Sequence, residues 1–336
     1  METVSRLVMY KVVIVGCGRI AGRYDKPHKI SRIYSHASGY ANDGRFELSG
    51  CVDKEEKVAA CFAKLHTVQK SGSNIVSMLD SIKPNVVSVA TPVDTHLAVV
   101  QEVLNNKNSK PDIIFLEKPV CGNRNELNEL IRLSKENSVP IMVNHSRRFH
   151  PLYIALQERY AKGEFGKLIG IDSTYYGGWL NSAVHLVDIL RFLFTMELHD
   201  LEVLDNLQGR TDADPTLTVR AKCGPESVPV WFRGWNEDYY QIFDLEIRFS
   251  KGRLRLSNFE QQWSWDSVVV NSRGENVLSP GVTDLPQQTD SPIINAIDLM
   301  NYYLDTRDVE VLSGKLIQDC ELTMHTMWSV GSVYGG

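Results

Sequence analysis

The stretch YKVVIVGCGRIA, Tyr10 to Ala21, decides the fold of the first half of this chain. Its first seven residues are a β-branched run ending at Gly16, the form of a strand buried on both faces of a parallel sheet. From the last residue of that run onward, Gly16 to Ala21 have the spacing G-x-G-x-x-A. In that pattern the first glycine permits a tight turn and the second lets a pyrophosphate approach the backbone. The small third residue lets a helix pack closely on the strand. Such spacing is unspecific alone, and the strand before it and helix-compatible segment after it give it meaning. Gly16, Gly18, Arg19 and Ile20 are therefore candidates for a dinucleotide-binding turn.

Outward from this turn, strand-like runs recur at FELSGCVD, NVVSVAT, DIIFLEKP and PIMVN. Helical patterns such as THLAVVQEVLNN and RNELNELIRLSKENS lie between them. The alternation predicts a doubly wound α/β domain over residues 1–145, with ligands at the carboxyl ends of its strands. The second strand ends at Asp53, whose carboxylate can accept from both adenosine ribose hydroxyls and would repel a 2′-phosphate. This favours NAD over NADP, although Lys54 weakens the preference and NADP stays open. Asp53 lies 37 residues after Gly16, whereas about 20 is typical. The excess falls in RYDKPHKISRIYSHASGY, residues 23–40, where Pro27 should break a helix. With Arg23, Lys26, Lys29 and Arg32 against Asp25, the segment is expected to be a solvated loop. Its alternative role is a basic flap over an anionic group.

Three further segments close strands of this domain: ATPVDTH (Ala90–His96), EKPVCGN (Glu117–Asn123) and NHSRRFHP (Asn144–Pro151). Lys118 reads either as an ordinary exposed lysine or as an ammonium reaching both cofactor and substrate oxygen. The Lys118–Pro119 bond is a candidate cis peptide.

The pattern changes in residues 146–336. Strand-like runs LEVLDNLQG, TLTVRAK, VPVWFRGW, FDLEIRFSKGRLRLSN and QQWSWDSVVVNS follow one another, with a hairpin turn expected at Lys251–Gly252. They predict a second α/β domain on an open, predominantly antiparallel sheet with one face against helices. Gly281 to Pro292 reads as a surface excursion. Within GGWLNSAVHLVD, Gly177 to Asp188, an apolar segment is interrupted only by Asn181, His185 and Asp188. On a helix their spacing of four and three stacks them in one row. The plain reading makes His185 a core histidine held by Asp188 and Asn181 the helix N-cap. Alternatively, the row faces a cleft. Among Tyr175, Tyr176, Trp179 and Trp235, Trp179 is the candidate to stack on a sugar ring.

The chain's 336 residues suit about two domains. With 36 basic and 41 acidic residues and no long like-charge block, neither nucleic acid nor a membrane is expected as the main partner. Six scattered cysteines without a CxxC pair suggest reduced thiols and a cytoplasmic protein. The N-terminal segment lacks a cleavage site, and no apolar stretch approaches the ~20 residues of a membrane span. No HExxH or paired-cysteine set suggests a metal.

Taken in order, GCGRIA, ATPxxxH, EKP, RRFxP and GGxxxNxxxHxxD resemble the glucose–fructose oxidoreductase, inositol dehydrogenase and rhizopine-catabolism family, Gfo/Idh/MocA, across essentially the whole chain. The resemblance implies an N-terminal Rossmann domain and NAD(P)-dependent hydride transfer at a hydroxyl or carbonyl carbon. The substrate would be a sugar, a sugar derivative such as a nucleotide-linked or amino sugar, or a cyclitol. It makes Lys118 the active-site lysine and His185 the catalytic base. Thr91, Pro92, His96 and Glu117 fall near the cofactor, and Arg147, Trp179 and Asn181 near the substrate. The family usually has aspartate where this chain has Asn181, so Asn181 is expected to orient the imidazole or bind substrate. A homo-oligomer formed through the C-terminal sheet is also implied. Transient-redox glycoside cleavage and non-catalytic cofactor sensing are the alternatives.

Overall fold

A computed structural model describes residues 9–23, 25, 33–211, 214–281, 284–286 and 291–331. The chain divides into two compact units, Met1–Phe149 with Thr289–Glu321 and His150–Gln288 with Leu322–Gly336.

The first unit is built on six parallel strands: β1 (Tyr10–Val15), β2 (Phe46–Val52), β3 (Lys70–Gly72), β4 (Val86–Val89), β5 (Ile113–Leu116) and β6 (Ile141–Val143). Their spatial order is β3-β2-β1-β4-β5-β6, so the winding reverses between β1 and β4. A doubly wound sheet opens its ligand crevice at such a reversal. Strands β4, β5 and β6 are buried along their whole length, as their apolar runs, interrupted only by Ser88, require. The connecting helices are α1 (His36–Ala41), α2 (Glu56–His66), α3 (Ile75–Ile82), α4 (His96–Leu104) and α5 (Arg124–Asn137). Local sequence fixes several helix starts. The side chains of Ser35, Asn74 and Asn123 accept the backbone N–H of Ser38, Ser77 and Glu126.

The expectation of a solvated loop over residues 23–40 needs correction. Ser35 and Ser38 form a reciprocal capping box that starts α1. This helix then buries His36, Ala37, Gly39 and Tyr40. Of the four cations on which the basic-flap alternative rested, Arg23 is exposed, and Lys26, Lys29 and Arg32 lie outside the described residues.

The second unit begins with α6 (Pro151–Ala161), β7 (Leu168–Tyr176) and α7 (Val184–Phe194). Seven strands follow: β8 (Leu198–Thr211), β9 (Asp214–Cys223), β10 (Val228–Trp235), β11 (Asp244–Phe249), β12 (Gly252–Ser257), β13 (Gln262–Val270) and β14 (Asn276–Pro280). The sheet order is β14-β13-β12-β11-β7-β10-β9-β8. Every adjacent pair is antiparallel except β7 with β10. The expected hairpin joins β11 to β12, pairing Phe249 with Gly252 across the turn. Alternation directs Leu245, Ile247, Leu254 and Leu256 into the core against α7. It leaves Glu246, Arg248, Arg253 and Arg255 on the other face, where Arg248 pairs with Asp172 and Glu246, and Arg253 and Arg255 pair with Asp266. Helix α7 is buried at ten of its eleven positions, all but His185, which explains its nearly continuous apolar sequence.

The division at residue 145 is also corrected. After β14, helix α8 (Pro292–Thr306) returns to the first unit and adds Ile293, Ala296, Ile297 and Met300 to its core. Gly39 makes room for it, since a Cβ there would lie 2.6 Å from Cδ1 of Ile297. The Tyr10 hydroxyl donates to Asp305 at 2.6 Å, and Arg307 pairs with Asp112 at 2.7 Å. The last described element is α9 (Glu321–Gly331), whose Thr323 and Met327 bond within the second unit. Among the described residues no helix is long and apolar enough to cross a membrane.

Candidate functional site

In the first unit the fingerprint turn follows β1. Gly16 has φ +90°, and a Cβ on it would lie 2.7 Å from the Ala90 carbonyl oxygen and 2.8 Å from Thr91 Cγ2. Only glycine satisfies both its conformation and its packing. Gly18 differs: a Cβ there would meet no described atom within 4 Å. That open space above the backbone is what the pyrophosphate of a dinucleotide needs. Ala21 is fully buried, as the third fingerprint position should be. The expected helix is a single π-turn, Arg19–Arg23, broken at Gly22. Arg19 is exposed and Ile20 partly buried on it.

Asp53, half-buried at the end of β2, accepts the backbone N–H of Cys17 at 2.9 Å and of Glu55 at 3.1 Å. Its carboxylate is thereby fixed against the fingerprint turn. The long insertion between Gly16 and Asp53 has not separated them, because β1 and β2 are adjacent.

Across the reversal, the carboxyl ends of β4, β5 and β6 carry the other sequence candidates. Thr91 follows β4, and its Oγ1 is buried without a hydrogen-bond partner among the described residues. The carbonyl of Pro92 accepts from the backbone and side chain of Thr95, turning the chain toward α4. His96 is buried, its ring nitrogens 3.0 Å from the Val120 carbonyl and 2.9 Å from that of Thr91. It clips together the loops after β4 and β5, so its expected place near a cofactor becomes a supporting one. The Lys118–Pro119 bond is cis, and Lys118 is half-buried. Arg147 is half-buried on a 3-10 turn, whereas Arg148 is spent holding the Gly314 and Asp319 carbonyls.

Glu117 is an internal anchor rather than an open ligand group. It is 6% exposed. One oxygen, Oε1, lies 2.8 Å from His36 Nε2 and accepts from Asn144 Nδ2 at 2.6 Å. The other accepts the Lys118 backbone N–H at 3.3 Å. Burial alone would push this carboxyl up, but the bonds from His36 and Asn144 and the nearby Lys118 charge outweigh burial and hold it below its ordinary range. The network continues from His36 Nδ1 to Ser88 Oγ at 3.0 Å and from there to the Tyr40 hydroxyl at 3.0 Å. Sequence reading assigned no role to His36, Ser88, Tyr40 or Asn144. The visible signal was polar residues inside otherwise apolar strand ends.

In the second unit, β7 runs into Gly177 and Gly178, with φ +77° and +95°. A π-turn, Trp179–Ala183, then leads into α7. The cap of this turn comes from β9. Asp214 accepts the backbone N–H of Leu180 at 2.6 Å and of Asn181 at 3.0 Å. Asn181 is therefore not the N-cap, and its side-chain amide instead donates to the Gly177 carbonyl at 3.3 Å. The polar row is graded: Asn181 is exposed, His185 is half-buried beside Phe243, and Asp188 is buried and accepts from Thr323 at 3.1 Å.

The aromatic expectation is corrected as well. Trp179 is 2% exposed, packs edge-on to Phe232, and donates to the Met327 carbonyl at 3.2 Å. Its ring is consumed by the core. Tyr175 is likewise buried, bonded to Leu217. Trp235 retains partial exposure beside Tyr240, with ring centroids 5.1 Å apart. Its indole nitrogen has no hydrogen-bond partner among the described residues.

Residues 10–145 match the model of the oxidoreductase family with an NAD-binding Rossmann fold, Gfo/Idh/MocA. An oxidoreductase of Formosa agariphila is 28% identical over 160 residues, 47% of this chain and 45% of that protein. The NAD(+)-dependent scyllo-inositol 2-dehydrogenase of Bacillus subtilis is 25% identical over 176 residues, 45% of this chain and 49% of that protein. The chain thus aligns with about half the length of each. The structure of UDP-N-acetylglucosamine 3-dehydrogenase from Acidithiobacillus ferrooxidans superposes with a TM-score of 0.73 at 16% identity, covering 96% of this chain and 97% of that one, a likeness of fold. Residues 10–145, the greater part of the first unit, thus resemble the NAD-binding Rossmann domain of the Gfo/Idh/MocA oxidoreductase family.

Proposed function

We propose that the protein is an NAD-dependent dehydrogenase, with NADP a weaker alternative, that interconverts a carbinol and a carbonyl on a sugar, sugar derivative or cyclitol. The observation that supports this most is the sequence of features along the sheet's carboxyl edge. Asp53 stands on one side of the β1–β4 reversal, the open approach to Gly18 at it, and Lys118 beyond it. Asp53 would hold the adenosine ribose, and Gly16 to Ile20 the pyrophosphate. When bound, the nicotinamide supplies the hydride chemistry.

The chain's own residues supply placement and proton transfer. His185 takes the hydroxyl proton as general base, a task suited to an imidazole at neutral pH. Lys118 donates to a substrate oxygen and stabilises developing negative charge. Asn181 and Arg147 bind substrate hydroxyl groups, while Glu117 and His96 keep their loops in place. Trp235, partly exposed and with a buried N–H that meets no partner among the described residues, replaces Trp179 as the aromatic surface for a sugar ring. We also propose self-association through the second sheet, supported by exposed Val268, Val269, Val270, Val277 and Leu278 on the β13–β14 hairpin. Light scattering of a Val270→Lys variant tests that point: a smaller mass than wild type is expected, and an unchanged mass counts against it.

The test of the activity is to substitute Lys118 and His185 separately and follow nicotinamide reduction with a sugar and cyclitol panel. Loss of turnover with cofactor binding retained is expected from both. Unchanged turnover in His185→Asn would remove the base from this account.

A further inference from the structure

We infer that Asn144 is a cofactor-binding residue whose side-chain carbonyl accepts a hydrogen bond from the carboxamide N–H of nicotinamide, in an orientation set by Glu117. This rests on the NAD reading above. Asn144 immediately follows β6, its backbone N–H bonded to the Leu116 carbonyl at 2.8 Å. The side chain is 7% exposed. Its Nδ2 donates to Glu117 Oε1 at 2.6 Å. An ionised carboxylate only accepts, so the amide cannot flip without losing this bond. Glu117 is itself held by His36, which Ser88 and Tyr40 hold in turn. The whole chain of contacts keeps Asn144 Oδ1 pointing away from Glu117.

That oxygen is buried and has no hydrogen-bond donor among the described residues. Folded proteins rarely leave a buried acceptor unused, and one that persists calls for a ligand, a water or a cost borne for function. Its place in the sheet selects the ligand. A dinucleotide with its adenosine ribose at Asp53 and its pyrophosphate over Gly18 must extend its other half past the reversal, over β4, β5 and β6. The nicotinamide at that end carries a primary carboxamide with two N–H donors. Thr91 Oγ1, after β4, is a second buried polar atom without a partner among the described residues. Both unused atoms therefore lie on the nicotinamide side.

The test compares three probes by equilibrium titration: NAD, ADP-ribose, which lacks the nicotinamide, and 3-acetylpyridine adenine dinucleotide, whose acetyl group has no N–H. Wild type should bind NAD about 10-fold more tightly than the acetylpyridine analogue, the effect of one buried acceptor left unused. Asn144→Leu should weaken NAD by a similar factor, leave ADP-ribose unchanged, and erase the preference over the analogue. Equal affinity of wild type for NAD and the analogue overturns the assignment, whatever the variant's folding. Equal weakening of NAD and ADP-ribose by Asn144→Leu overturns it too, making Asn144 a structural residue. Binding of neither NAD nor ADP-ribose by wild type overturns the cofactor reading on which it stands.

Discussion

The carboxylate of Asp214 accepts the backbone N–H of Asn181, 33 residues earlier in the chain, at 3.0 Å, together with that of Leu180 at 2.6 Å. The turn that aims His185 is thus capped by a strand rather than by its own sequence. Two neighbours make this possible. Thr216 Oγ1 accepts the Gly178 N–H at 3.0 Å, and a Cβ on Gly178 would stand 2.2 Å from Asp214 Oδ2.

Replacing Asp214 with alanine should therefore cost about 1–2 kcal/mol, the range of a lost helix cap. Gly178→Ala should cost at least as much, because it combines a φ of +95° with that close contact. Urea unfolding of both variants checks this. A cost below ~0.5 kcal/mol for Asp214→Ala would reduce the cap to an ordinary surface contact.

The two fingerprint glycines should separate folding from binding. Gly16→Ala places a Cβ 2.7 Å from a backbone oxygen and should lower the melting temperature. Gly18→Ala enters open space among the described residues. It should leave the melting temperature near wild type while weakening NAD. Thermal scans with and without NAD distinguish the two, and equal thermal losses without ligand would contradict the assignment.

This contrast also shows how legible the sequence was. Gly16, Gly18, Asp53 and the strand–helix alternation could be read because each depends on short-range pattern or on neighbouring strands of a regular sheet. The same holds for the β11–β12 hairpin and the cis Lys118–Pro119 bond. The Asp214 cap could not be read, because its two halves meet only through the pairing of a distant strand. His36 was hidden for another reason. Its insertion has a loop's composition, and its burial depends on Glu117, 81 positions away. Trp179 was misjudged because helical spacing shows that a ring shares a face with its neighbours, not whether that face is covered.

Glu117 gives a pH prediction. Its folded-state proton affinity lies below the unfolded value near 4.5. The stability from its ionised form is therefore complete above that pH and is lost as the pH falls through the lower folded value. Glu117→Gln should cost about 2 kcal/mol at neutral pH. The gap from wild type should narrow only below about pH 4.5. Denaturant unfolding across the acid range tests this, and a gap independent of pH would assign the loss to packing alone.

Trp179 and Trp235 should part company in opposite senses. Trp179→Ala removes a fully packed core ring and should cost about 3–5 kcal/mol. Trp235→Ala should leave stability within about 1 kcal/mol of wild type and raise KM for a sugar-like substrate. Parallel unfolding and steady-state measurements decide it. A large stability loss in Trp235→Ala would place that ring in the core.

The central proposal is hydride transfer between the nicotinamide and a carbinol or carbonyl carbon of a sugar-like compound, with His185 as base for the hydroxyl proton. The most direct measurement follows nicotinamide fluorescence of the NAD-loaded protein as cyclitols, free sugars and nucleotide sugars are added. Reduced nicotinamide should accumulate with one compound class, and His185→Asn should slow it by about 10²–10⁴-fold while retaining NAD. No reduction with any class despite measured NAD binding, or the same rate in His185→Asn, would contradict it.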